Sequence, residues 1–183
     1  MRICTFSIAG SRTWGVVDER GIVDLGTRIG GSVLDVLQEH RLAAVRDEAA
    51  VADVDYDLGA VTFEPPVDRP EKIACIGVNY ANRNAEYKDG SDEPQWPSLF
   101  MRTIDSFTGH NEPLWRPPES AQLDYEGEIA IVIGKTGHRI AEHDALGHIA
   151  GLTLLNAVSI SEDGFRAVRK NVNNTKTGSS ALA

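Results

Sequence analysis

The chain has 183 residues, a length that suits one large domain or a small domain beside part of a larger one. Its composition, 42% hydrophobic and 25% charged, is ordinary for a packed globular protein. Its formal net charge is −9 without a prominent lysine or arginine cluster, so nucleic acid is an unfavourable partner. No apolar run approaches the roughly 18 residues of a membrane helix, and the first residues lack the apolar segment of a secretory signal.

The two cysteines, Cys4 and Cys75, lie far apart and lack the spacing of a metal site. Isolated thiols of this kind are typical of reduced, buried cysteines in a cytoplasmic protein. We therefore predict a cytoplasmic protein without a membrane partner.

The first third of the chain predicts a small α+β unit. Ser32, with Asp35 three residues later, is the predicted N-cap of an amphipathic helix. The predicted elements are strands at 2–8, 12–18 and 22–25, a helix from 33 into 42, a second helical piece at 42–52 and a short strand at 61–63.

A proline-rich stretch at 65–70 interrupts all regular structure. Proline has no backbone donor and a fixed φ, so this stretch is the best linker candidate in the sequence. We predict a small amino-terminal domain at 1–66 and a second domain at 67–183.

Beyond the linker, short strands and short helices follow one another without regular alternation, which favours an α+β fold over a parallel doubly wound sheet. The predicted elements are strands at 72–77, 98–102 and 149–158, short helices at 81–87 and 142–148, a polar loop at 88–97 and an extended loop at 105–118.

Two glutamates stand at the head of an apolar, β-branched run at 129–134. Because a strand repeats every two residues, Glu126 and Glu128 point to the same face, which Ala130 and Val132 continue. Neighbouring carboxylates repel unless a cation or a proton relieves them, and a hard divalent ion would do so. The alternative is a solvated strand edge on which acidic residues prevent pairing.

The order of the motifs after the linker resembles the fumarylacetoacetate hydrolase family, over about residues 68–156. The segments that carry the resemblance are Lys72–Tyr80, Glu86, Pro97–Phe100, Gly109–His110, Pro113, Pro117, Asp124–Glu128, Val132–Lys135 and Gly151. The resemblance implies a mixed β-sandwich or β-roll that forms homodimers and binds Mg²⁺ or Mn²⁺.

It also implies a hydrolase or lyase that cleaves a C–C bond in a small oxo acid, by acylpyruvate hydrolysis or oxaloacetate-type decarboxylation, including steps in the catabolism of aromatic compounds. In this chemistry the ion polarises the substrate carbonyl and stabilises the enolate. Glu126 and Glu128 match two of the family's metal carboxylates.

The chain departs from the family at the third metal carboxylate, where Ala157 follows Asn156. Glu162 or Asp163, a few residues further on, could supply the missing oxygen. Loss of one carboxylate would weaken metal binding by about tenfold or more, the size of one charge-assisted hydrogen bond.

The catalytic candidates lie outside the acidic strand. The helix after Tyr80 carries Arg83 in place of a histidine base, and arginine cannot accept a proton near neutral pH. Glu86 is the candidate base, and His110 is a candidate for the pocket wall. Lys170 and Lys176 are candidates for holding a substrate carboxylate.

Relative to the family, we expect the catalytic domain to be incomplete at its carboxyl end. A sandwich shortened in this way would expose sheet edges and an apolar face. A truncated or catalytically impaired homologue that binds metal or a partner is therefore the alternative to an active enzyme. A third reading is an interaction domain unrelated to metal.

Overall fold

The structure is a computed structural model that describes residues 1–77, 96, 98–116, 118 and 120–159, together with the backbone of 177–181. The strands are β1 (Arg2–Ile8), β2 (Ser11–Val17), β3 (Ile22–Asp24), β4 (Thr62–Glu64), β5 (Ile73–Gly77), β6 (Ser98–Arg102), β7 (Phe107–Thr108), β8 (Gly127–Ile133), β9 (Ile149–Val158) and β10 (Thr177–Ala181). The α-helices are α1 (Leu25–Ile29), α2 (Val33–Gln38) and α3 (Leu42–Val51), and 3₁₀ turns lie at Leu58–Ala60, Ile104–Ser106 and Glu142–His148.

The first sheet is antiparallel with the strand order β3-β2-β1-β4. Its strands alternate, so that Trp14 and Val16 of β2 share a buried cluster with apolar residues of the three helices. Cys4 and Phe6 of β1 belong to a second buried cluster. The predicted small α+β unit is therefore present, with helices packed against its sheet.

The helices differ from the predicted ones in two places. The capping box between Ser32 and Asp35 is present as predicted. The helix that it starts ends at Gln38 and does not run into Leu42, because His40 has a φ of 56°. Helix α1 was not predicted; it begins after Asp24, whose side chain accepts a hydrogen bond from the Thr27 backbone.

The second sheet is mixed, with the strand order β7-β10-β9-β8. The β8–β9 and β9–β10 pairs are antiparallel, whereas β10 and β7 are parallel. A separate antiparallel pair joins β5 to β6. The mixed sheets and few helices agree with the predicted α+β class.

Strands 72–77, 98–102 and 149–158 were predicted nearly to the residue, and the predicted helix at 142–148 is a 3₁₀ helix. The extended loop at 105–118 contains the two-residue strand β7, which the sequence did not indicate. The predicted helix at 81–87 lies outside the described residues, as does nearly all of the loop at 88–97. No helix in the described part of the chain has the length and apolar character needed to cross a bilayer.

Contacts join the two predicted domains. Val67, Val132 and Ala150 pack against the buried cluster around Trp14. The Thr5 hydroxyl donates to the Pro66 carbonyl at 2.8 Å, so the linker lies along β1. The domain boundary at residue 66 stays a prediction.

Candidate metal site on the acidic strand

The two glutamates lie side by side on one face of β8. Glu126, Glu128, Ala130 and Val132 are all half-buried, whereas the residues between them are exposed. This alternation is the one expected of a strand with one covered face. Glu126 directly precedes the first residue of β8, and Glu128 is the second residue.

Strand β9 places Ala157 next to Glu126. Gly127 pairs with Asn156 and Glu128 with Leu155, and the Ala157 backbone N–H donates to the Glu126 carbonyl at 2.7 Å. Paired residues of an antiparallel ladder point to the same face, so the buried Ala157 side chain shares the face of the two glutamates. The methyl group of Ala157, where the family resemblance led us to expect a third carboxylate, therefore faces the two glutamates.

Glu126 is held by hydrogen bonds to its backbone and to its carboxylate. Its carbonyl accepts from Ala157, and its backbone N–H donates to Asn156 Oδ1 at 3.1 Å. Its carboxylate Oε1 accepts from the Ser159 hydroxyl at 2.6 Å. Ser159 was not identified from the sequence, and only the register between β8 and β9 brings it to this carboxylate.

His110 lies away from the two glutamates. It follows β7, which is at the opposite edge of the four-stranded sheet, three strand spacings or roughly 14 Å from β8. Its ring packs edge-on against Phe63 of β4, with 6.3 Å between the centroids. A side chain on the neighbouring Gly109 would overlap the Phe63 carbonyl, so glycine permits this close approach. A catalytic role of His110 stays a prediction.

The structure does not describe the other predicted site residues. Glu86, Lys170 and Lys176 lie outside the described residues, as do Arg83 and the two possible replacements for the missing carboxylate, Glu162 and Asp163. Their roles rest on the sequence alone.

Residues 72–180 match the family profile of the fumarylacetoacetate (FAA) hydrolase C-terminal domain. The chain belongs to the fumarylacetoacetate hydrolase family. It is 40% identical over 106 residues to oxaloacetate tautomerase YisK of Bacillus subtilis, covering 57% of this chain and 35% of that protein. It is 34% identical over 144 residues to the mitochondrial oxaloacetate tautomerase FAHD2A of Bos taurus, covering 76% of this chain and 45% of that protein.

Solved structures of fumarylacetoacetate hydrolase family proteins share the fold. Fumarylacetoacetate hydrolase from Exiguobacterium antarcticum superposes with a TM-score of 0.65 at 26% identity, over 93% of this chain and 58% of that one. Maleylpyruvate hydrolase from Sphingobium sp. SYK-6, solved with manganese(II) and pyruvate, gives a TM-score of 0.71 at 22% identity, over 100% of this chain and 65% of that one. The chain spans between a third and a half of the length of the curated relatives named above.

The donor set of this fumarylacetoacetate hydrolase family chain fits a hard divalent ion held by two carboxylates. Within the described ranges, no three His, Cys, Asp or Glu side chains come close enough to form a larger cluster. Mg²⁺ is usually bound through one or two carboxylates and completes its shell with water and substrate. Glu126 and Glu128 meet this minimum, since both are half-buried on one face of the strand.

Proposed function

We propose that this chain is a divalent-metal-dependent hydrolase or lyase that acts on a small oxo acid. One observation carries the proposal: Glu126 and Glu128 share a half-buried face at the start of β8. Two neighbouring carboxylates repel, so a bound cation would relieve an arrangement that is otherwise unfavourable.

Oxaloacetate is the substrate that we propose to test first. The Bacillus subtilis and Bos taurus relatives, at 40% and 34% identity, both carry the name oxaloacetate tautomerase. Keto–enol tautomerisation and the C–C bond cleavage predicted from the sequence share one requirement, which is stabilisation of negative charge on an enolate oxygen. A cation held by Glu126 and Glu128 would supply that charge.

The side chains of the protein supply binding and proton transfer in this proposal. Glu126 and Glu128 hold the cation, Glu86 is the proposed base, and His110 is proposed as a residue of the pocket wall. Lys170 or Lys176 would pair with the substrate carboxylate through its ammonium group. Hydrolysis of an acylpyruvate or decarboxylation of oxaloacetate, including steps of aromatic catabolism, remains the alternative reaction.

Mg²⁺ and Mn²⁺ are both proposed as the ion, because the same oxygen ligands suit both. A neighbour of the same fold was solved with manganese, so Mn²⁺ is the probe of choice. We further propose a cytoplasmic location and a homodimer.

A second function is favoured by Ala157. This buried methyl group lies on the face that carries Glu126 and Glu128, where a third carboxylate is expected from the family resemblance. A chain with two carboxylates would bind the ion more weakly, so it would serve as a metal- or partner-binding homologue without turnover.

An oxaloacetate assay separates the two functions. Loss of the enol absorbance measures tautomerisation, and pyruvate formation measures decarboxylation, each against the same Mn²⁺ concentration without protein. We expect turnover that chelation by EDTA removes and that Glu128→Gln strongly reduces. Mn²⁺ binding without turnover would instead support the impaired homologue.

A further inference from the structure

We infer that Ser159 is a positioning residue for the Glu126 carboxylate, and that its hydroxyl raises the affinity of the site for a divalent cation. The inference rests on the proposed function in one respect, because it takes Glu126 as a metal ligand. It adds a residue that the family resemblance did not supply.

The backbone fixes where Ser159 stands. Immediately after β9, Ser159 pairs with Asp124 through two backbone hydrogen bonds, of 2.8 Å and 3.0 Å. Asp124 and Glu126 are two residues apart, so the Ser159 side chain lies on the glutamate face of the ladder. Ser159 is only 5% exposed, so little water competes for its hydroxyl.

The hydroxyl is bonded to the carboxylate itself. The distance of 2.6 Å from Ser159 Oγ to Glu126 Oε1 falls in the range typical of a hydroxyl that donates to a carboxylate. A carboxylate offers about four lone-pair sites, and the bond from Ser159 uses one of them. The hydrogen bond therefore orients the carboxylate without removing its capacity to bind a cation.

Glu126 is held both through its backbone and through its carboxylate. Its backbone is held by Asn156 and Ala157, and its carboxylate is held by Ser159. A ligand that is already ordered loses less conformational freedom when the cation binds. The ordering of Glu126 matters more in a site with two carboxylates than in one with three, and Ala157 contributes no oxygen to the same face.

Removal of the hydroxyl should therefore weaken cation binding. Hydrogen-bond partners of metal-binding carboxylates typically contribute about 10- to 100-fold to metal affinity. A role confined to packing would affect thermal stability and leave the affinity of the folded protein unchanged.

The test is calorimetric titration of the full chain with Mn²⁺ in the wild type and in four variants. Ser159→Ala deletes the hydroxyl, while Ser159→Thr and Ser159→Val form an isosteric pair that differs by the hydroxyl alone. Ser120→Ala is the matched control, because Ser120 is equally buried and its hydroxyl bonds to Gln122 in its own loop. Circular dichroism confirms that each variant is folded.

We expect Mn²⁺ affinity to fall about 10- to 100-fold in Ser159→Ala and Ser159→Val. Ser159→Thr should lie within a few-fold of the wild type, and Ser120→Ala should match it. Equal affinities of the Thr and Val variants, in a protein whose wild type binds Mn²⁺, would overturn the role of Ser159 alone. A wild type that does not bind Mn²⁺ would overturn the proposed function and this inference together.

Discussion

Ala157 is the residue at which the chain and the family resemblance differ most directly. It is buried on β9, its N–H donates to the Glu126 carbonyl, and its side chain lies on the same face as Glu126 and Glu128. An aspartate at this position would add a third carboxylate oxygen with fixed geometry.

Ala157→Asp should strengthen Mn²⁺ binding by about tenfold or more, which corresponds to one added charge-assisted contact. Without metal, the same substitution buries an unpaired charge, so the melting temperature of the metal-free protein should fall and then recover when Mn²⁺ is added. Titration calorimetry and thermal melts measure the two effects. Ala74→Asp, on an exposed position of β5, is the control.

Equal Mn²⁺ affinities of the wild type and Ala157→Asp would contradict the prediction that residue 157 faces the bound ion. They would also be the result expected if Glu162 or Asp163 already supplies the third oxygen.

At the scale of the elements, local sequence patterns predicted the facing of strand residues and the start of a helix. The alternation at 126–132 gave the shared face of the glutamates, and Ser32 with Asp35 gave the start of α2. Helix α1 was missed because it has only five residues and contains Gly26, which disfavours a helix. Gly26 is required because a side chain there would overlap Thr13 Oγ1.

The contacts around Glu126 could not be predicted in this way. The hydrogen bond from Ser159 joins residues 33 apart in sequence, and it depends on the register of β9 against β8. The same holds for His110, whose distance from the glutamates follows from the strand order of the second sheet.

Helix α1 is tied to the segment after α3 by an ion pair. Arg28 binds the Asp55 carboxylate through both terminal nitrogens, and the Asp24 backbone N–H also donates to Asp55. The hydrogen bond from Arg28 is the main cause that lowers the pKa of Asp55. Folding therefore favours the ionised carboxylate.

Asp55→Asn should lower the free energy of unfolding at pH 7, because it removes the ion pair with Arg28. The loss should be only about 1 kcal/mol, since solvent screens this partly exposed pair. The stabilisation is present above the ordinary aspartate pKa of about 4 and is lost as the pH falls through the lowered pKa of Asp55. Urea unfolding at pH 7 and at pH 3 measures the change, with Asp47→Asn on the exposed side of α3 as the control. A difference between wild type and variant that grows towards low pH would contradict this account.

At the scale of the whole molecule, the second face of the β8–β9 ladder is apolar and open. Ile129, Ile131, Ile133, Leu152 and Leu154 are each between 52% and 62% exposed. Their register places Ile129 opposite Leu154 and Ile131 opposite Leu152, so the five side chains form one continuous surface. Apolar patches of this kind on soluble proteins mark surfaces that associate.

Ile131→Lys should therefore shift the full chain towards a monomer. A lysine at the centre of the patch places a charge where a second apolar surface would pack. Sedimentation velocity over a range of protein concentrations measures the effect, with Leu58→Lys, an exposed leucine outside the patch, as the control. A wild type that is monomeric at every concentration would contradict the proposed homodimer.

The two-part organisation was indicated by the prolines at 65–70, but the way the parts meet was not. Val132 and Ala150 belong to the second sheet, yet they pack against the cluster around Trp14 in the first part. The side chain of Val132 thus covers the first part while Glu126 lies at the other end of the same strand face. This contact depends on tertiary packing, which periodicity alone does not report.

The central claim is that the acidic pair on β8 binds a divalent cation. Titration calorimetry of Mn²⁺ into the wild type, Glu126→Ala and Glu142→Ala tests it most directly. Glu142 is an exposed glutamate in the 3₁₀ helix before β9, so its substitution controls for the loss of one negative charge. We expect the wild type and Glu142→Ala to bind Mn²⁺ with the same affinity and Glu126→Ala to lose binding. Unchanged affinity in Glu126→Ala would contradict the claim and would mean that the glutamates only protect the edge of the sheet, where β8 lies.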